Sequence, residues 1–302
     1  MQPIRLDGKV AIVTGAGGGI GRAYALALAR RGARLVVNDL GSSLDGRGAD
    51  SAVAQAVVDE IAAAGGVAVA DCNDVAAEQS ARAIVERAVQ VFGTIDIVVC
   101  NAGIGLNSPF DQVSFDDFRR VAGMHLFGTA GVVHAAWPQF KARGYGRVVM
   151  TTSAAAMWGV QNVSGYCAGK GAVIGLMKCL AHEGAPFGIK VNAVSPGAKT
   201  RMSAHHFDGR KGWTWRPELV EPLVTYLASD QCRHNGAILS AMGGNYARVE
   251  AMQAIGQTFD ARGEVSAEDI FGHLDQIDDM VGARSMVHGH DISSIVTGRK
   301  KE

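Results

Sequence analysis

The sequence has no surplus of charge. Lysine plus arginine and aspartate plus glutamate number 29 each, so the formal net charge is zero. Nucleic acids and anionic membranes both require a basic excess, and the balance argues against either as a partner. There is no Cys-x-x-Cys pair. The five cysteines, Cys72, Cys100, Cys167, Cys179 and Cys232, would leave one unpaired in any full disulfide scheme. Reduced thiols and a cytoplasmic setting are expected. No uninterrupted apolar run approaches a membrane span, and the opening MQPIRLDGKV lacks the apolar stretch of a signal peptide. The closing GRKKE is not a peroxisomal address of the S-K-L kind. Proline is scarce, 7 residues, whereas glycine is abundant at 39, which implies many tight turns and close backbone approaches.

What the chain does have is apolar matter. Hydrophobic residues make up 48% and charged residues 19%, enough for a large core and too little charge for disorder. Short Val/Ile-rich runs at 10–13, 35–38, 67–70, 95–100, 147–152, 189–194 and 237–241 alternate with helical patterns at 21–31, 50–63, 77–91, 115–137 and 165–182. Strands that read as nearly continuous apolar runs are buried on both faces, as in a parallel sheet. The alternation predicts βαβ units: a Rossmann-type, doubly wound, seven-stranded parallel sheet with helices on both faces over residues 1–244. After Gly244 the rhythm stops. The extension 245–302, with a helical, acidic stretch at 267–279, is too short for its own core, and is expected to pack on the main domain or on a neighbouring subunit.

Directly after the first strand comes Thr14-Gly15-Ala16-Gly17-Gly18-Gly19-Ile20-Gly21, opening the first helix. Glycines there let the backbone turn sharply and approach a pyrophosphate, whose charge is stabilised by free N–H groups at the helix N-terminus. The spacing Gly15-x3-Gly19-x-Gly21 differs from the commoner G-x-G-x-x-G. Asp39 closes the second strand, where an acid accepts hydrogen bonds from ribose hydroxyls and repels a 2′-phosphate. Gly18, Asn38 and Leu40, the positions for a basic partner of that phosphate, are not basic. NAD rather than NADP is the expected cofactor.

Thr14–Gly21, Asp74-Val75 after the third strand, Cys100-Asn-Ala-Gly103 after the fourth, Ser153, Tyr166-x3-Lys170 and Pro196-Gly197 occur in this order, and together they resemble the short-chain dehydrogenase/reductase family over roughly residues 7–244. The resemblance implies that Gly15, Gly17, Gly19, Ile20, Gly21, Asp39, Asp74 and Val75 hold the adenosine diphosphate half of the cofactor. It implies further that Asn101, Ala102, Gly103, Pro196 and Gly197 line its central cleft, with Tyr166 and Lys170 beside the nicotinamide. Where the family usually has Asn, this chain has Cys100 and, in a helix, His125. Cys100 reads as a buried apolar residue. For His125 two readings stand: a holder of the water in a proton relay behind the lysine, or a satisfied buried side chain.

Tyr166 and Lys170 are four apart in a helical stretch and share a face. A tyrosine titrates near ~10, too high for a base at neutral pH, and a neighbouring ammonium with a positively charged nicotinamide would bring it down. Ser153 ends the fifth strand at the carboxyl edge, where open α/β sheets bind ligands. The expected chemistry is hydride transfer between a secondary alcohol and its ketone: Tyr166 exchanges the proton, Lys170 tunes it and holds the nicotinamide ribose, and Ser153 orients the substrate oxygen. His205-His206 and His288/His290 have no acid or cysteine at metal spacing, so no metal is expected.

Finer likeness, in GRAYALAL at 21–28, VNDLG at 37–41 with its glycine-rich loop 41–48, His125-Leu126-x-Gly128, YGRVVMTTS at 145–153, Arg201-Met202 and Pro222-Leu-Val224, is to the D-3-hydroxyacyl-CoA dehydrogenase unit of peroxisomal multifunctional enzymes and their bacterial relatives. That resemblance implies oxidation of (3R)-hydroxyacyl-CoA to 3-ketoacyl-CoA. A free steroid, terpenoid or other secondary alcohol is the alternative substrate, and a catalytically idle nucleotide-binding scaffold a third reading. The substrate lid, about 197–216, carries Arg201, Arg210, Lys211 and Arg216, read either as partners of CoA phosphates or as solvated charges; the Trp213-Thr214-Trp215 cluster reads as lid or packing aromatics. The resemblance implies that the helices at 115–137 and 165–182 pair with their two-fold mates in a homodimer or homotetramer; Ala168, Gly169, Gly171, Ala172, Gly175 and Met177 on the second fit either that close approach or admission of the helix onto its own sheet.

Overall fold

In the computed structural model, which describes residues 3–203 and 214–286, the Val/Ile-rich runs form one sheet. Its strands are β1 (Val10–Thr14), β2 (Arg34–Asn38), β3 (Val67–Asp71), β4 (Ile97–Cys100), β5 (Gly146–Thr151), β6 (Ile189–Gly197) and β7 (Ile238–Met242), in the order β3-β2-β1-β4-β5-β6-β7. All six pairings among them are parallel. β1, β4 and β5 are buried along their whole length, while edge strand β3 buries only Asp71. That difference follows from helices covering both faces of the centre but not the edge.

The sheet has eight strands, one more than expected. β8 (Asn245–Val249) adds to the outer edge of β7. Gly243 and Gly244, at φ +55 and +85, make a two-residue link that only an antiparallel partner can follow. The double glycine that reads as the end of the βα rhythm is a hairpin turn.

The helices are α1 (Gly19–Arg30), α2 (Ala52–Ala63), α3 (Glu78–Phe92), α4 (Phe115–Arg143), the short α5 (Ala154–Trp158), α6 (Ser164–Gly184) and α7 (Glu221–Leu227). α1 packs with α2 and α7, while α3 packs with α4 and α4 with α6, giving two layers around the strands. α4 begins where the Ser114 hydroxyl accepts the Asp117 amide at 3.1 Å, with Asp116 and Asp117 in the favourable first turn. It runs through Pro138 to Arg143 instead of stopping at 137. The carbonyl that the proline leaves without a donor belongs to exposed His134, on the solvent side of the helix.

Glycines set the α4–α6 approach. A Cβ at Gly165 would stand 3.1 Å from Phe118 O, and one at Gly169 2.8 Å from Ala122 O and 2.9 Å from the His125 Cβ. α6 thus brings Tyr166 and Lys170 directly against α4.

The chain divides into two compact units, Met1–Arg248 and Val249–Glu302. Within the second, β9 (Met252–Gln253) pairs antiparallel with β10 (Arg284–Ser285). The helix Ala267–Gly272 starts at a capping box of Ser266 and Asp269 and is followed by the turn of helix Leu274–Asp278. Neither helix has a buried residue. Among the described residues no helix is long and apolar enough to cross a membrane.

Candidate active site

The chain works outward from β1 to β3 and then returns to β4 on the other side of β1, so the crevice at the carboxyl ends of β1 and β4 is the switch point of the sheet. The glycine-rich turn sits there. A Cβ at Gly17 would meet Val53 Cγ1 at 2.3 Å, and one at Gly21 would meet Gly15 O at 2.0 Å. Gly18 has nothing within 4 Å of its Cβ direction, so the turn is tight inward and open outward. Ile20 packs on the core, and Gly15 and Gly19 take positive φ, +62 and +52. α1 has no side-chain N-cap and no acid in its first turn, which leaves its amides and dipole for an anion. This cradle fits a dinucleotide pyrophosphate.

Asp39 lies beside the turn. Its Oδ2 accepts the Gly17 amide at 2.8 Å and its Oδ1 the Gly41 amide at 2.7 Å, so one carboxylate fixes both the turn and the root of the next loop. At the end of β4, Asn101 Nδ2 donates to Thr14 O at 3.2 Å and Gly15 O at 3.0 Å. The Thr14 hydroxyl accepts the Asn101 and Ala102 amides at 3.0 and 3.1 Å. The Asp74 carboxylate accepts the Ala76 amide at 2.9 Å, and buried Val75 packs against Gly128 of α4. Pro196 and Gly197 end β6 beside Ala241 and Met242. Thr14, which opens the glycine motif, also clamps the start of the 101–103 segment, and one contributor escaped the sequence reading: Thr200, whose Cγ2 stands 3.2 Å from the Cβ direction of Gly19. Only a threonine just past Pro196-Gly197 hinted at it.

Ser153 follows β5 and caps α5, its hydroxyl accepting the Ala155 amide at 3.2 Å. Tyr166, on the first turn of α6, is pushed above its ordinary value by burial, and a hydrogen bond with the Ser153 hydroxyl pulls the other way. Lys170 is buried, and its Nζ donates to Thr151 O at 2.7 Å, 5.9 Å from the Tyr166 ring centroid. Burial lowers Lys170 to about 8. The downward pull expected on Tyr166 from this ammonium does not set its direction; burial does.

His125 comes from α4 and meets the Tyr166 ring edge-on at 4.9 Å between centroids. Its Nε2 lies 2.8 Å from Ile104 O, which can only accept, so Nε2 carries the proton. Burial and the Lys170 charge hold it well below the ordinary imidazole range. The ring is therefore neutral, and its buried Nδ1 is an acceptor with no partner among the described residues. Gly103 has a second reason to be glycine here, since a Cβ would stand 2.5 Å from His125 Cε1. Burial raises the Cys100 thiol to about 12, as fits an unreactive apolar side chain.

Arg201 donates to Ser42 O at 3.0 Å, while Arg210 and Lys211 of the lid, with His205, His206, Trp213, His288 and His290, lie outside the described residues. Among the described residues no group of three His, Cys, Asp or Glu is placed to hold a metal.

The short chain dehydrogenase family model matches residues 9–211. The chain belongs to the short-chain dehydrogenase/reductase family, whose members act on CH–OH groups. It is 41% identical over 276 residues to a short-chain type dehydrogenase/reductase of Mycobacterium tuberculosis, covering 91% of this chain and 96% of that one. It is 41% identical over 243 residues to peroxisomal multifunctional enzyme type 2 of Mus musculus, covering 80% of this chain but 33% of that one, so it spans about a third of that relative's length. Among solved short-chain dehydrogenases, 7α-hydroxysteroid dehydrogenase complexed with NADH and 7-oxo glycochenodeoxycholic acid aligns with a TM-score of 0.72 and 31% identity, over 80% of this chain and 95% of that one.

Proposed function

We propose that this enzyme is an NAD-dependent oxidoreductase that interconverts a secondary alcohol and its ketone, with (3R)-hydroxyacyl-CoA and 3-ketoacyl-CoA as the substrate pair. The observation that carries the chemistry is the convergence of Ser153, Tyr166 and Lys170 at the carboxyl end of β5. NAD, when bound, supplies the hydride acceptor. Ser153 donates to the substrate oxygen and fixes its orientation. Tyr166 takes the hydroxyl proton during oxidation and returns it during reduction. Lys170, one proton already committed to Thr151 O, keeps two for the nicotinamide ribose and for a water behind the site. His125 Nδ1 is the acceptor for that water, so the neutral ring completes a proton path away from Tyr166. Asp39, already accepting two amides, favours ribose hydroxyls and repels a 2′-phosphate, and neither Asn38 nor Leu40 offsets that repulsion.

The acyl-CoA assignment is supported by the likeness to the mouse peroxisomal enzyme. A free steroid or terpenoid alcohol is the second reading, favoured by the likeness to the hydroxysteroid dehydrogenase. An idle scaffold has no need of the Ser153/Tyr166/Lys170 set. We place the enzyme in the cytoplasm as a homodimer or a tetramer of dimers. The deciding experiment is turnover with NAD on a panel of (3R)-hydroxyacyl-CoA thioesters and free secondary alcohols, in wild type and Tyr166→Phe. Thioester oxidation at a higher kcat/KM than any free alcohol is expected, with Tyr166→Phe losing about 100-fold or more of kcat. Preference for free alcohols would overturn the substrate, and full turnover by Tyr166→Phe would overturn the chemistry.

A further inference from the structure

The loop between β2 and α2 is closed on itself. The Asp50 amide donates to Leu40 O at 2.9 Å, and a Cβ on Gly41, at φ +72, would lie 2.1 Å from Asp50 O, so the two ends meet. At the tip the Ser43 amide and hydroxyl both donate to Arg47 O at 2.9 Å, and the Arg47 amide returns to Ser43 Oγ at 3.1 Å. A compact surface loop with joined ends holds its own shape. Even so, three donors from elsewhere in the fold tie it down. The Gly105 amide donates to Leu44 O at 3.0 Å, Arg201 to Ser42 O at 3.0 Å, and Arg120 to the Asp45 carbonyl. All three grip backbone carbonyls, which fixes where the loop lies whatever its side chains are.

That placement has a direction. β1 stands between β2 and β4, so a loop rooted at the end of β2 and held by residue 105 beyond β4 must cross the carboxyl end of β1. The glycine-rich turn is at that end. Gly46 rests against the Ile104 side chain, 3.0 Å from its Cβ direction, and the Ile104 carbonyl is the one that holds His125. The root of the loop is Gly41, whose amide binds the Asp39 carboxylate. Arg120 is itself held in place: its Nη2 donates to Asp117 Oδ1 at 2.7 Å, and the Ser114 hydroxyl donates to Asp117 Oδ2 at 2.9 Å. A guanidinium fixed at one end loses little freedom by gripping with the other.

We infer that Arg120 is a positioning residue for the cofactor: from α4 it pins the 41–48 loop across the adenosine half of a dinucleotide seated on the glycine turn and Asp39. The inference rests on the dinucleotide reading given under Proposed function. It assigns Arg120 no contact with the reacting atoms. The loop is a clasp, and Arg120 and Arg201 are its two side-chain catches.

The test measures NADH and ADP-ribose affinity by titration calorimetry for wild type, Arg120→Met, Arg120→Lys and Arg201→Met, with circular dichroism to check folding. Arg120→Met is expected to weaken both ligands about tenfold, the scale of one lost charge-assisted hydrogen bond, and Arg120→Lys to recover part of it. Trypsin supplies a second readout at Arg47, on the loop tip: ADP-ribose should slow cleavage there in wild type and fail to do so in Arg120→Met. A purely structural arginine would lower the melting temperature and leave both affinities unchanged. ADP-ribose binding within about twofold of wild type in folded Arg120→Met overturns the clasp. Weakening confined to NADH overturns it as well, because the adenosine half is common to both ligands. If Arg120→Met does not fold, Arg201→Met decides by the same affinity criterion. Wild type that binds neither ligand overturns the dinucleotide reading, and the clasp with it.

Discussion

His125 stands edge-on to Tyr166, 4.9 Å between ring centroids and at 90°, with its Nε2 committed to Ile104 O. The two residues come from different helices, and Gly169 lets those helices approach closely enough for the rings to touch. The imidazole is thus fixed in tautomer and orientation, and only Nδ1 is left to act.

If Nδ1 accepts a water, an amide oxygen can replace it and a hydrocarbon cannot. His125→Leu should lower kcat by about tenfold to 100-fold with the cofactor KM unchanged, while His125→Asn keeps most of the rate. Equal rates in the two variants would assign His125 to packing alone. The folded value lies below 6.5, so at acid pH the unfolded chain takes up a proton that the folded one refuses. The contribution of His125 to stability is present above about pH 6.5 and is lost as pH drops further. Urea unfolding at pH 7 and pH 5 should show a larger loss for wild type than for His125→Asn.

Lys170 gives a window of the same sign on the alkaline side. Its folded value of about 8 lies below the usual 10.5, so between those values the unfolded chain binds the extra proton and stability rises with pH. The span corresponds to on the order of 3 kcal/mol. Unfolding free energies of wild type and Lys170→Met at pH 7.5 and 10 measure it: the difference between the two proteins should shift in favour of wild type at the higher pH. A constant difference would mean that the lysine titrates normally.

For the cofactor, kcat/KM with NAD should exceed that with NADP, and Asp39→Ala with Leu40→Arg should cut the ratio by at least about tenfold, since attraction replaces repulsion at the 2′ position. An unchanged ratio would place the discrimination elsewhere.

Gly165 and Gly169 are explained by α4 of the same chain, but Gly171 and Gly175, further along α6, have nothing within 4 Å among the described residues, and Phe127 on α4 is 63% exposed. A glycine costs a helix interior about 1 kcal/mol relative to alanine, so an approaching backbone from a second copy is the natural reason for the unexplained pair. Light scattering at micromolar concentration should give at least twice the 31.5 kDa chain mass, and Gly175→Trp should release monomers without a large loss of helical signal. A monomeric wild type removes the interface.

Much of this site is legible in the sequence because short-range rules carry it. A strand, a glycine turn and a helix are contiguous, and Tyr166 and Lys170 share a face by helical geometry. Family likeness supplied Asp74, Val75 and the 101–103 segment. What stayed hidden depends on contacts between distant residues. β8 was concealed by a glycine pair that looks like a terminus, and the last turn of α4 by a proline whose lost bond falls on the exposed side. Nothing local to residue 44 or 120 announces that they meet the ends of other elements.

Asp39 binds two backbone amides, one in the glycine turn and one at the root of the clasp. A lineage that replaced this acid to accept a phosphorylated coenzyme would undo two loops in a single mutation. A complete change of coenzyme would therefore draw in residues 38–50 around position 39, beyond the partial loss of preference expected from Asp39→Ala with Leu40→Arg. An engineer seeking the switch should transplant that block whole, as a cassette, and keep Gly17 and Val53 as its fixed borders.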